Sequence, residues 1–556
     1  MGTTVEQLDA VVVGGGIAGM YAIYALREQG ARVHGFEVAS GFGGTWFHNR
    51  YPGARCDIES VDYSYSFSEE LQQDWDWSER FATQPEILSY LEHVADRFDL
   101  ARDFSFDTKV TTAVFDEAKS RWQVTTDTGR EVVARFCIFA TGPLSATNLP
   151  AIPGREAFAG ESYHTGAWPH GGVSFSGKRV GVIGTGSSGI QSIPEIARDA
   201  DHLYVFQRSA NYTIPAGNRP LSEELKRDIK ANYVERRRQA RASGGGSPFT
   251  PYAKGALEVD DAERRRVYDE WWNRGGVLFS KAFPDQLIDR AANDTAREYA
   301  EAKIRDLVVD PDVARALTPT DHPIGTKRIV TDSGFYETFN RDNVSLVDLR
   351  EAAIERITET GIETAGQHYE LDMIVYATGF DAMTGSLNRI DIRGRDGRTL
   401  RDEWAEGPRT YLGLEVDGFP NMFIVNGPGS PSVLANMVLT AEQHVDWIVD
   451  CIDHMDVNGA ATVEASADAV DAWVAECNER ASKTLFLQAN SWYLGANIPD
   501  KPRVFMPFLG GFSVYGAILD EVAAAGYKGF LMNSADKEVV ARSVGSSASQ
   551  SDVGAR

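Results

Sequence analysis

Short apolar runs stopped by glycine recur along the chain, and two of them open the same arrangement. Ala10-Val11-Val12-Val13 leads into Gly14-x-Gly16-x-x-Gly19, and Lys178-Arg179-Val180-Gly181-Val182-Ile183 leads into Gly184-x-Gly186-x-x-Gly189. Each predicts a buried strand, a tight turn and a helix. Glycines at these spacings permit the turn, let the backbone approach a pyrophosphate and allow close helix packing, while the helix N-terminus faces the anion. In the second fingerprint Ser187 and Ser188 begin that helix. Two fingerprints far apart in one chain point to two dinucleotides held together for electron transfer.

The strand after each fingerprint separates the two ligands. The first is followed by Arg32-Val33-His34-Gly35-Phe36-Glu37, whose final acid suits a ribose diol, as in FAD or NAD sites. The second is followed by Leu203-Tyr204-Val205-Phe206-Gln207-Arg208, which ends on a cation instead. Arg208 there suits a 2′-phosphate, hence NADPH.

Elsewhere the pattern divides the chain. The fold expected is α/β, with two Rossmann-like dinucleotide-binding domains, both discontinuous, and a mostly helical insertion. Residues 1–150 and 385–533 are assigned to an FAD-binding domain, 151–215 and 326–384 to an NADP-binding domain. Residues 216–325 break the α/β rhythm with charged, Trp-containing helical sequence and a Ser243-Gly244-Gly245-Gly246-Ser247-Pro248 stretch read as a flexible joint. Residues 534–556 read as a disordered tail, small and polar from Ser543 onward.

Composition narrows the function classes. A length of 556 residues with 43% hydrophobic and 24% charged residues is that of a globular enzyme. A formal net charge of −25 argues against nucleic acid and anionic membranes as partners. The basic runs Arg236-Arg237-Arg238 and Arg264-Arg265-Arg266 lie among acids in helical sequence and read as solvated helix faces. Cys56, Cys137, Cys451 and Cys477 have no paired spacing, so neither a zinc site nor a dithiol redox centre is expected, and no metal. Few cysteines, with neither an export signal nor a membrane-length apolar stretch, suit the cytoplasm. A monomer or weak oligomer is expected.

Two further patterns carry a family resemblance. Phe158-x-Gly160-x-x-x-His164-x-x-x-Trp168-Pro169 precedes the second fingerprint. Upstream, Gly43-Gly44-Thr45-Trp46 is followed by Tyr51-Pro52-Gly53 and then Asp57. Both resemble signatures of the Baeyer–Villiger monooxygenases, over roughly residues 8–533. Segments such as Phe380–Gly385 and Gly427–Ser432 look like the branch of phenylacetone and steroid monooxygenases. The resemblance implies FAD and NADPH as cofactors, and a ketone and O2 as substrates. It implies a C4a-peroxyflavin that inserts oxygen beside a carbonyl to give an ester or lactone. The catalytic pair would be Arg328, a permanent cation, and Asp57, which orients it. Flavin contacts would come from Gly14, Gly16, Gly19, Glu37, Thr45, Trp46 and Asp57. NADP contacts would come from Gly184, Gly186, Ser187, Ser188, Gly189, Arg208, Lys327 and Trp492. His164 and Trp168 would couple the domains, and Ser432, Val433 and Leu434 would line the substrate pocket. The alternatives are a flavin monooxygenase acting on amines or sulfides, and a flavin binder that does not oxygenate.

Overall fold

The computed structural model describes residues 5–534. The tail from 535 onward lies outside the described residues. Ser534, assigned above to the tail, instead ends the strand Phe530–Ser534.

Each fingerprint strand sits inside its own sheet, where both faces are covered and an unbroken apolar run is needed. Glu6–Val13 lies between Val33–Phe36 and Glu131–Phe139, paired in parallel with both. Phe104–Ser105 beside Val33–Phe36 and the antiparallel strands Val110–Asp116 and Arg121–Thr126 extend this sheet, and two later strands complete it. Asp391–Arg393 pairs with Val110–Asp116, and Met422–Ile424 pairs with Glu131–Phe139. The second sheet is parallel throughout, in the order Val344–Asp348, His202–Gln207, Arg179–Ile183, Met373–Tyr376, Glu161–His164. The fold is therefore α/β with two Rossmann-like units. Residues 391–424 return to the first sheet and 344–376 to the second.

Between the strands Thr213–Pro215 and Val330–Asp332, which pair in parallel, the chain is mainly helical. Trp271, Trp272, Phe279, Phe283 and Tyr299 form a separate apolar core there. Two sequence expectations change in this region. The Ser243–Pro248 stretch is held rather than loose: Gly245 O accepts from Asn436 N at 2.9 Å and Gly244 O from Phe512 N at 2.9 Å. The first basic run is not a solvated face either. Arg237 is buried, with its guanidinium donating to Asp62 O, Ser64 Oγ and Tyr65 O, and Arg236 pairs with Asp62. These arginines dock the insertion onto the segment that follows Asp57. Among the described residues no helix is long and apolar enough to cross a membrane.

The two chain crossings between the sheets lie side by side. Asn148 N donates to Gly379 O, Asp381 N to Ala146 O and Met383 N to Pro143 O, at 2.8–2.9 Å. Together the two crossings form a hydrogen-bonded double linker between the sheets.

Candidate active site

The site is built where segments from both units meet. The Tyr51-Pro52-Gly53 turn leans on the helix of the second fingerprint, Ser187–Asp199. Tyr51 Oη donates to Gln191 Oε1 at 2.8 Å. Gly53 has φ +80°, and a Cβ there would lie 2.2 Å from Gln191 O, so this position needs glycine twice over. Four residues on, Asp57 meets Arg328, which is 271 positions away in sequence. Arg328 Nε and Nη2 donate to the two Asp57 oxygens at 2.8 and 2.6 Å. Nη1 donates to Val433 O at 2.8 Å.

That carbonyl is aimed by a short turn over Ser432–Leu434, with Ser432 at φ +42°. Asn436 then caps the 22-residue helix Met437–Asn458, accepting from Val438 N. Its amide nitrogen donates to Asp62 O and Gly246 O, so one residue fixes three pieces of the cavity wall.

Three of the five guanidinium N–H donors of Arg328 are thus occupied, which leaves two on the group where it lines the cavity beside the Tyr493 phenol. Burial alone would lower its pKa, but the Asp57 charge and hydrogen bonds outweigh that and raise it, so the cation is permanent. The cavity holds about 200 Å³. Leu434, Ala435, Phe486, Tyr493 and the Gly275-Gly276 pair form part of its wall.

Glu37 is buried behind the first fingerprint, taking N–H groups from Gly15 and Ala39. Burial raises its pKa against these bonds. The close helix approach needs Gly19 and Gly189, where a Cβ would lie 1.8 and 2.2 Å from the carbonyl oxygens of Gly14 and Gly184. Above Gly186 a Cβ would meet nothing, leaving the open cradle a pyrophosphate requires. The residues present therefore fit two dinucleotides. Gly16 faces Gly44, and Thr45 is exposed beside it. Trp46 is buried with its indole N–H on Tyr63 Oη at 3.1 Å. Ser187 is exposed, and Ser188 Oγ meets Thr165 Oγ1 at 3.0 Å.

Arg208 is exposed at the end of its strand, with no carboxylate partner among the described residues. The Lys327 ammonium is held by Asp321 at 3.1 Å, and the residue lines the cavity. Trp492 packs against Tyr493.

His164 is buried and does not line the cavity. Its Nδ1 accepts from Gly166 N, and its Nε2 meets Thr378 Oγ1 at 3.3 Å, beneath the double linker. Thr378 donates in turn to Asn148 O. Burial lowers the His164 pKa, which keeps the ring neutral. Trp168 is buried, and its backbone N–H reaches His48 O at 3.3 Å.

The expected pocket residues Ser432 and Val433 lie in the turn that meets Arg328. Ser432 is fully buried with its hydroxyl on Asn426 O, and Val433 contributes a carbonyl rather than its side chain. Leu434 and Ala435, next in the chain, supply part of the cavity wall. Tyr493, buried with its phenol toward Arg328, was missed in the sequence. The resemblance points to the adjacent Trp492, and nothing in the pattern of an aromatic pair tells which ring faces inward.

Comparison with known proteins decides the family. A family model described as flavin-binding monooxygenase-like matches residues 8–218. A Baeyer–Villiger monooxygenase of Pseudooceanicola batsensis is 43% identical over 97% of this chain and 98% of its own length. The chain belongs to the Baeyer–Villiger monooxygenase family. It is an FAD-containing, NADPH-dependent enzyme of that family. A solved structure of oxidized steroid monooxygenase bound to NADP is 64% identical, with a TM-score of 0.92, over 95% of this chain and all of that one. A phenazine N-monooxygenase of Lysobacter antibioticus is also 43% identical, over 96% of this chain and 99% of its own length.

Proposed function

We propose that the enzyme converts aryl, bulky and steroid-like methyl ketones, together with some cyclic ketones, to esters or lactones at Arg328. The observation that carries this is the Arg328 clamp: a permanent cation, fixed by Asp57 and Val433 O, with two donors left where it lines the cavity. Those donors suit a carbonyl oxygen that gathers negative charge, and their fixed geometry removes the cost of reorganising at the moment of reaction. Reduced flavin together with O2 supplies the oxygen atom. Leu434, Ala435 and Phe486 exclude water from the reacting carbonyl.

In this reading Gly14, Gly16, Gly19, Glu37, Thr45, Trp46 and Asp57 hold FAD. Gly184, Gly186, Ser187, Ser188, Gly189, Arg208, Lys327 and Trp492 serve NADP(H). Residues 1–150 with 385–533 form the flavin domain and 151–215 with 326–384 the nicotinamide domain, with 216–325 inserted. Sheet membership of the later strands supports that division. His164 and Trp168 couple the domains, His164 through the linker and Trp168 through His48. The four cysteines are buried free thiols, which suits a reducing cytoplasm. We assign a monomer or weak oligomer.

The substrate class rests on the likeness to steroid monooxygenase and on the small residues of the wall. An apolar wall discriminates weakly, by about 1–3 kcal/mol per methylene, so several ketones should be accepted. The phenazine N-monooxygenase relative favours a second reading, nitrogen oxygenation. A panel of phenylacetone, a steroid methyl ketone, cyclohexanone and phenazine, assayed for product and hydrogen peroxide, tests both. Ester or lactone from the methyl ketones is expected. Turnover of cyclohexanone alone would overturn the substrate class, and N-oxide without ester would favour the second reading.

A further inference from the structure

Charge is distributed unevenly around the cavity. The chain carries a net charge of −25, yet six cations and only three carboxylates line this space. Most of the cations are already matched. Arg328 pairs with Asp57, Arg236 with Asp62, Arg80 with Glu59 and Lys327 with Asp321. Arg274 and Lys281 have no carboxylate partner among the described residues. Arg274 rests on the Trp271 ring, 4.9 Å from its centre.

A second hollow of about 290 Å³ lies against the first. The two share Glu59, Arg80, Arg236 and Arg274 as walls. The second adds Arg219, which is exposed and whose guanidinium reaches Gly217 O at 3.4 Å. Its floor is apolar, formed by Leu221, Leu225 and Ile229. An apolar floor under two unmatched guanidinium groups fits a ligand with a hydrocarbon body and an anionic end. On a strongly acidic protein such a local field draws in anions that the rest of the surface repels. Guanidinium groups also match a carboxylate in a planar, two-point manner.

We propose that this vestibule binds a carboxylate at the far end of the ketone substrate, with Arg219 and Arg274 as its ligands. The proposal rests on the ketone-oxygenating reading and narrows it to acidic ketones. The carbonyl reaches Arg328 from the inner cavity while the carboxylate stays at the outer arginines.

The test uses the FAD-loaded full chain, with phenylacetone and 4-(2-oxopropyl)benzoate as a matched neutral and acidic pair. Ester formation gives kcat/KM for each, and calorimetry on the NADP+-loaded enzyme gives the affinity of the acid. The acid should be preferred roughly tenfold, as one charge-assisted contact allows. The preference should fade in about 0.5 M salt, where exposed charges are screened. In the Arg219→Gln/Arg274→Gln double variant the ratio should fall close to one. An unchanged ratio would overturn the proposal, as would refusal of the acid by an enzyme that turns over phenylacetone. A matching rise in the KM for NADPH would also overturn it, because the arginines would then serve the cofactor. If neither ketone gave ester but the acid still bound in an arginine-dependent way, the anion site would stand and the oxygenation reading would fall.

Discussion

Replacing Arg328 by lysine keeps the charge and removes the geometry. In the native enzyme one planar group spans both Asp57 oxygens at 2.6 and 2.8 Å, reaches Val433 O at 2.8 Å, and still has two N–H donors left where it lines the cavity. An ammonium has three N–H bonds on a single nitrogen, so satisfying Asp57 and Val433 O would exhaust it. The substrate oxygen would then lose both donors. Loss of one such donor costs about 2.7–4 kcal/mol, a rate factor on the order of 10²–10³. Arg328→Lys should therefore bind FAD normally and form ester at least about a hundredfold more slowly. The assay follows ester by gas chromatography, NADPH by absorbance and hydrogen peroxide by a coupled peroxidase. The flavin spectrum confirms loading. Ester formation at about a third of the native rate would refute the reasoning, since charge alone would then suffice.

Further outcomes follow from the other placements. Arg208→Ala should raise the KM for NADPH roughly ten- to a hundredfold and leave NADH little changed, and equal losses for both would remove Arg208 from the 2′-phosphate. His164→Ala should fold and load FAD but lose much of its turnover, with flavin reduction under NADPH slowed; normal reduction and turnover would make it a packing residue. Ser432→Ala should cost about 1 kcal/mol of stability and leave the ketone preference alone, whereas Leu434→Phe should shift the preference toward smaller ketones; the reverse pattern would return Ser432 to the cavity wall. His444 is fully buried, and burial pushes its pKa down to about 3. Its neutral form is the folded one, so its share of stability is intact above pH ~6.5 and falls by about 1.4 kcal/mol per unit as pH drops from there toward 3. That component should vanish from the pH slope of the unfolding free energy in His444→Gln, and an unaltered slope would contradict it.

The local signals in the sequence were strong where the chemistry is local. Ala10–Gly19 and Val180–Gly189 specify strand, turn and helix through near neighbours, because a glycine spacing and an apolar run act within one βαβ unit. Glu37 and Arg208 are likewise set by their position at the end of the next strand. The Gly43–Asp57 and Phe158–Pro169 patterns were legible as signatures, but their reasons were not. Gly53 is required by the carbonyl of Gln191, and His164 by Thr378, contacts across the fold that no spacing records. The basic run at Arg236 read as a solvated face because its partners, Asp62, Ser64 and Tyr65, lie more than 170 residues earlier. The same limit governs the cavity. The sequence marked Arg328, Asp57 and the 432–434 turn, but which atom of that turn faces the guanidinium depends on Ser432 at φ +42° and on the Asn436 cap. Backbone direction and side-chain facing are fixed by packing between distant segments, and that belongs to the tertiary structure alone.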